Sequence, residues 1–186
     1  MKSKCIIKFT AAIFCIITVF TLSSCSIIDK ISGGKISRIK VCCVTTLQSD
    51  FVASICGDKA EIVVLEKENS KNYVPSKKDI RKIGKCNLFV YNGDSSDEWV
   101  NDALNSLKNK PVVFAFSEAL DYYDADENSV LTDEILLQPE VSKKIVRSLY
   151  KEFLMIDSKN AATYIENTDF YIKSISNYEN QQNYKG

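Results

Sequence analysis

The chain has 186 residues, 24 basic and 24 acidic side chains, and no histidine. Charge balance without a Lys/Arg-rich stripe argues against a nucleic-acid surface. The missing imidazole removes the usual general base near neutral pH and the commonest metal ligand. With no histidine-partnered nucleophile and no Gly-rich phosphate loop either, the sequence argues against an enzyme.

In chain order, Lys2, Lys4 and Lys8 precede an uncharged run from Phe9 to Leu22. Its 14 residues fall short of the roughly 20 that a membrane-spanning helix needs. Leu22-Ser23-Ser24-Cys25 then sets small residues before a cysteine, the pattern of an export signal cut before Cys25 and lipidated on it. Residues 1–24 therefore read as a lipoprotein signal peptide, and 25–37, with Gly33-Gly34, as a flexible tether. At about 0.8 kcal/mol per buried methylene, two or more acyl chains would hold the mature chain on the extracytoplasmic face of the cell membrane. A plain cleaved signal with Cys25 as a bystander is the alternative. What remains suits one domain with a real core and is short for two ordinary lobes.

From Ile39 the pattern alternates. Ile39 to Thr45 is an apolar run of strand length, and Leu47 to Cys56 has helical spacing with Gly57 as its stop. Ala60 to Leu65 reads as a second strand. Ser76, with Asp79 three residues on, caps a short helix ending at Gly84. Leu88 to Tyr91 is a third strand, Asp97 to Leu107 a helix with Trp99 anchoring it to the sheet, and Val112 to Phe116 a fourth strand after Pro111. Pro139 then opens a helix carrying Val141, Ile145, Leu149 and Phe153. Ser158 can cap a last helix with Ala161, Tyr164, Ile165, Ile172 and Ile175 on one stripe, before a polar tail that frays.

Strands apolar on both faces and alternating with helices imply an α/β fold: a four-stranded, mainly parallel sheet with helices on both faces, followed by two C-terminal helices. One lobe is expected over 38–178, with a polar tail at 179–186. Any ligand site would lie at the carboxyl ends of the strands. Cys42, Cys43, Cys56 and Cys86 sit in apolar stretches and read as buried hydrophobes, although their even number in an exported chain leaves disulfides open. Cys42 and Cys43 must face opposite sides of their strand. The acidic segment from Asp121 to Asn128 has calcium-loop spacing in part, but Ser129 and Ile135 stand where such a loop needs Gly and Glu, so it reads as solvated.

Several segments together carry a resemblance. Val44-Thr45-Thr46 with Phe51, Val52 and Ile55-Cys56-Gly57-Asp58, then Lys71-Asn72-Tyr73-Val74-Pro75, Tyr91-Asn92-Gly93 with Asp97 and Trp99, Leu137-Gln138-Pro139, and Asn160 to Ile172 follow one another in a fixed order. In that order they resemble the metal-binding lipoproteins that serve zinc and manganese ABC importers. The resemblance implies the N-terminal lobe of a solute-binding protein, with an ABC permease as partner. It also implies departures. The family's P-H-x-Y-x-P histidine falls on Lys71 and that of H-x-W-L-D-P on Glu134. The remaining ligands belong to a second lobe, before which the chain stops.

Bringing a lysine from a pKa of about 10.4 to neutrality at pH 7 costs about 4.6 kcal/mol. Left charged, it repels a divalent ion about 4 Å away by roughly 8 kcal/mol at an effective dielectric of 20. Glu134 alone cannot build a site of about four ligands. No resident cofactor and no metal ligands are therefore expected, with zinc or manganese bound only if the family function survives. Lys71, Tyr73, Asp97 and Glu134 are the candidate loop-mouth residues, with Lys71 and Glu134 either paired or separately solvated. The competing function is a surface interaction or adhesion lipoprotein using the lobe as scaffold, or a fragment without activity of its own. In the split-receptor version, a second lobe in trans or self-association covers the last helix.

Overall fold

The structure, a computed structural model, describes residues 38–65, 73–120 and 130–183. The signal peptide, Cys25, the tether, Lys71 and the 121–128 acidic segment lie outside the described residues. Four strands, β1 (Ile39–Cys43), β2 (Ala60–Val64), β3 (Leu88–Tyr91) and β4 (Val112–Ala115), form a sheet in the order β2-β1-β3-β4. Every pairing is parallel. β1 is shorter than the run from Ile39 to Thr45, because Thr45 leaves the sheet to cap the helix that follows.

Among the described residues, six α-helices accompany the sheet: α1 (Thr46–Cys56), α2 (Lys77–Ile83), α3 (Trp99–Asn105), α4 (Asp133–Leu136), α5 (Pro139–Ile156) and α6 (Ala161–Asn183). Side-chain alternation along the strands divides the core in two. Val41, Cys43, Leu88 and Val90 face α1, α5 and α6 through Phe51, Ile55, Leu149, Phe153 and Tyr164. Cys42, Val44 and Phe89 face α2 and α3 through Ile83 and Val100, with Trp99 packed against them. The adjacent cysteines thus enter opposite faces, as strand geometry demands. Trp99 meets Phe89 edge-on, with ring centroids 6.3 Å apart, which fixes α3 to the sheet.

The four cysteines among the described residues are free thiols, three of them buried. Burial pushes the thiol of Cys56 up to about 11, so it packs as a small hydrophobe.

Four expectations are corrected. Residues 95–97 form a 3-10 turn, so the α3 helix proper starts at Trp99. Ser158 does not cap the last helix. A 3-10 turn at Ser158–Asn160 precedes α6, and Asp157 fastens the corner by accepting hydrogen bonds from Tyr164 Oη (2.5 Å) and Asn160 Nδ2 (2.8 Å). The helix runs to Asn183, into the 179–186 segment expected as a fraying polar tail. Its inner face also differs from the expected stripe: Tyr164 and Thr168 are buried, whereas Ile165 is 47% exposed. Asn167 explains the rotation. Its Nδ2 donates to the Ile55 carbonyl (2.9 Å), satisfying an acceptor at the α1 C-terminus that has no helical partner.

Candidate functional site

The chain runs from β1 outward to β2 on one side and returns across β1 to β3 on the other. The direction of winding therefore reverses between the carboxyl ends of β1 and β3, where ligands bind in open parallel sheets. In this protein that crevice holds a buried polar network of its own.

Thr45 and Gln48 form a capping box at the start of α1. Gln48 Oε1 accepts from the backbone N–H groups of Val44 (2.9 Å) and Thr45 (3.1 Å), and its Nε2 donates to Asn92 Oδ1 (2.7 Å). Asn92 Nδ2 reaches the carbonyl of Leu131 (3.3 Å), and the Leu131 N–H donates to Asp94 Oδ2 (2.7 Å). Asp97 Oδ2 accepts from the N–H groups of Asn92 (2.8 Å) and Gly93 (3.1 Å). Gln48, Asn92, Asp94 and Asp97 are all buried. Three separate segments (the start of α1, the loop after β3 and the approach to α4) are thereby locked together, each polar atom having a partner as a dry interior requires.

Gly93 makes the turn feasible. Its φ of 76° disfavours a side chain, and a Cβ there would stand 2.7 Å from Ala115 Cβ and also meet the Ser117 hydroxyl.

The predicted loop-mouth residues separate. Asp97 is buried beneath the Asn92–Gly93 turn, and its carboxylate is engaged by backbone amides. Glu134 sits in the first turn of α4, behind the Thr132 cap, and is exposed. Tyr73 packs edge-on against Trp99, with ring centroids 5.0 Å apart, on the α2–α3 side. Burial, reinforced by a hydrogen bond to Asp79, pushes its phenol up to about 12. It lines an apolar cleft of about 440 Å³ together with Val74, Pro75, Ile80 and Trp99. No group of three or more His, Cys, Asp or Glu side chains suited to a metal occurs among the described residues. Gln48 and Asp94 escaped the sequence reading. The T-x-x-Q spacing of Thr45 and Gln48 was the available signal for one of them; for Asp94 it was the Asp-Ser-Ser start of the 95–97 turn, which it caps by accepting from the Ser96 N–H (2.8 Å).

The model of the family ZnuA, "Zinc-uptake complex component A periplasmic", matches residues 41–184. The chain belongs to this family. ZnuA-family proteins are solute-binding proteins without catalysis, in keeping with the reading against an enzyme. Among similar proteins, the iron-binding protein YfeA of Yersinia pestis is 24% identical over 170 residues, covering 89% of this chain and 55% of YfeA. The metal ABC transporter substrate-binding lipoprotein FimA of Streptococcus parasanguinis is 26% identical, covering 84% of this chain and 54% of FimA. The crystal structure of the metal-dependent lipoprotein YcdH of Bacillus subtilis shares the fold with a TM-score of 0.65 at 23% identity, over 75% of this chain and 53% of YcdH. This ZnuA-family chain thus spans about half the length of the relatives it matches. No helix among its described residues is long and apolar enough to cross a membrane.

Proposed function

We propose that this chain is one lobe of a metal-importer receptor, held on the extracytoplasmic face of the cell membrane by lipid on Cys25, whose own share of the metal site has been lost. The observation that carries the reading is the donor set. The chain has no histidine, so on the resemblance set out above Lys71 and Glu134 stand where the family carries histidines, and the carboxylates at the strand ends are spent on backbone amides. A lysine ammonium repels a divalent ion, and one exposed carboxylate does not replace about four ligands. Titration calorimetry of the purified mature chain with zinc and with manganese tests this. The expected result is no one-to-one binding tighter than micromolar, and a sub-micromolar complex overturns the proposal. Anchoring is tested separately: Cys25→Ser is expected to move the protein from the detergent phase to the aqueous phase.

A second reading has its own support. Ile165, Phe170 and Tyr178 on α6 are 47%, 73% and 59% exposed. Large apolar side chains left exposed along one helix favour a partner: the permease, a second lobe in trans, a second copy, or a host surface in an adhesive role. Sedimentation of the isolated chain as a strict monomer, insensitive to Phe170→Glu, would remove the self-association version.

A further inference from the structure

The strands of a parallel sheet all enter from one edge, and in this chain each entry brings a cation to it. Arg38 and Lys59 each stand one residue before the paired Ile39 and Ala60. Lys85 stands two residues before Asn87, whose N–H donates to the Lys40 carbonyl (2.7 Å). Lys110 stands two residues before Val112, whose N–H donates to the Asn87 carbonyl (3.0 Å). Lys40 and Lys108 complete the group, and all six are exposed except the half-buried Lys59. The sequence shows no basic stripe because these cations come from four separate segments, which only the sheet register assembles.

Two acids answer them: Asp58 pairs with Lys59 (2.7 Å) and Glu61 with Lys40 (3.3 Å). Lys85 and Lys108 have no ion pair among the described residues, and Lys110 meets only the neutral Asn105 side chain (2.9 Å). Val112, next to Pro111 and Lys110, adds an apolar side chain that is 40% exposed. The exposed acids Glu98, Glu118 and Glu134 follow the carboxyl ends of the strands instead. Arg38 is bonded to the end of the 25–37 segment, which begins at the lipid-bearing cysteine in the reading above. As a coil that segment would span about 20 Å.

We propose that this amino edge of the sheet is a docking surface for anionic phospholipid headgroups, seating the lobe on the membrane that holds its anchor and turning the carboxyl ends of the strands away from it. The membrane setting rests on the anchored reading; the attraction belongs to the folded lobe. The whole chain is charge-balanced, so the attraction comes from placement and not from net charge. Screening limits it to cations within about 8 Å of the surface, those of the facing edge. Each such Lys or Arg is worth about fivefold in partitioning. A short tether holds the edge at a high effective concentration, so weak contacts suffice.

The test uses the purified mature chain carrying Cys25→Ser, sedimented with phosphatidylcholine vesicles and with vesicles rich in phosphatidylglycerol. Binding is expected to the second alone, and to fade as salt is raised. Lys85→Gln, Lys108→Gln and Lys110→Gln together are expected to weaken it about a hundredfold. Lys77→Gln, Lys78→Gln and Lys173→Gln, an equal loss of charge elsewhere, should weaken it less than about fivefold. All six positions are exposed, so both variants keep the core, and a circular-dichroism melt checks that. No binding, equal binding to both vesicles, or equal weakening by both triple variants overturns the proposal. Binding to soluble heparin without binding to vesicles also overturns it and assigns the edge to a polyanionic sugar.

A second arm acetylates the lysines of the lipidated protein in the same two vesicles and maps them by mass spectrometry. Lys85, Lys108 and Lys110 should be protected only where phosphatidylglycerol is present, with Lys77 and Lys78 reacting in both. A chain that carries no lipid in cells removes the anchor and leaves the vesicle result standing. A lipidated chain whose edge lysines react equally in both vesicles refutes the docking and leaves the anchor.

Discussion

Gln48 shows how much one side chain does at the strand ends. It is buried, it satisfies two backbone donors at the β1–α1 junction, and it meets Asn92 across the crevice. Gln48→Ala would remove the partner of the Thr45 N–H and of Asn92 Oδ1, whereas the Val44 N–H keeps the Val90 carbonyl. Leaving buried polar groups unsatisfied costs about 1–3 kcal/mol, so a loss of that size is expected in urea unfolding. Gly93→Ala is expected to cost about 2 kcal/mol, from the positive φ and the close approach to Ala115. Gln48→Ala and Gly93→Ala act on one hydrogen-bonded network, so their double mutant should fall short of additivity.

At the scale of elements, α2 depends on its first turn. Ser76 Oγ caps the Asp79 N–H (3.2 Å), and Asp79 Oδ2 accepts from the Ser76 N–H (3.0 Å) and hydroxyl (2.6 Å). Burial pushes the Asp79 carboxyl up, but the hydrogen bonds from Ser76 and Tyr73 outweigh it and hold the group below the usual carboxylate range. A carboxyl depressed in the fold stabilises it above its unfolded pKa of about 4, and that contribution fades as acid titrates the folded form. Asp79→Asn is therefore expected to be destabilising at pH 7, with the gap to the parent closing below about pH 4 in circular-dichroism melts.

The far end of α6 has a different fastening. Lys143 on α5 reaches Glu140 (2.9 Å) and Glu179 (2.5 Å). The contact with Glu179 is the first cause of the raised lysine pKa, followed by that with Glu140. Glu179→Gln should speed amide exchange in the last turns of α6 while leaving the α1–α6 contact through Asn167 protected.

For the whole molecule, the metal question is one of donor count. Restoring imidazoles with Lys71→His and Glu134→His would remove the ammonium and supply two neutral donors. A tetrahedral site needs about four, and the carboxylates of Asp94 and Asp97 are held by the fold. The double variant is expected to bind zinc in calorimetry more tightly than the parent and still no better than micromolar. If a second lobe supplies the missing donors in trans, adding that lobe should tighten the variant's binding and not the parent's.

The hydrophobic period alone determined the four strands, the parallel sheet between two helical layers and the two long C-terminal helices, because a sheet buried on both faces leaves continuous apolar runs in the chain. Composition likewise settled the lack of imidazole donors. What only the tertiary structure decided depends on partners distant in sequence. Asp97 reads as a free loop carboxylate until the Asn92–Gly93 turn folds onto it, and the α6 stripe reads through Ile165 until Asn167 finds the Ile55 carbonyl. Local spacing records which residues share a face. Which backbone groups a side chain must satisfy is fixed only when separate segments are brought together, and burial makes that requirement stronger than the stripe.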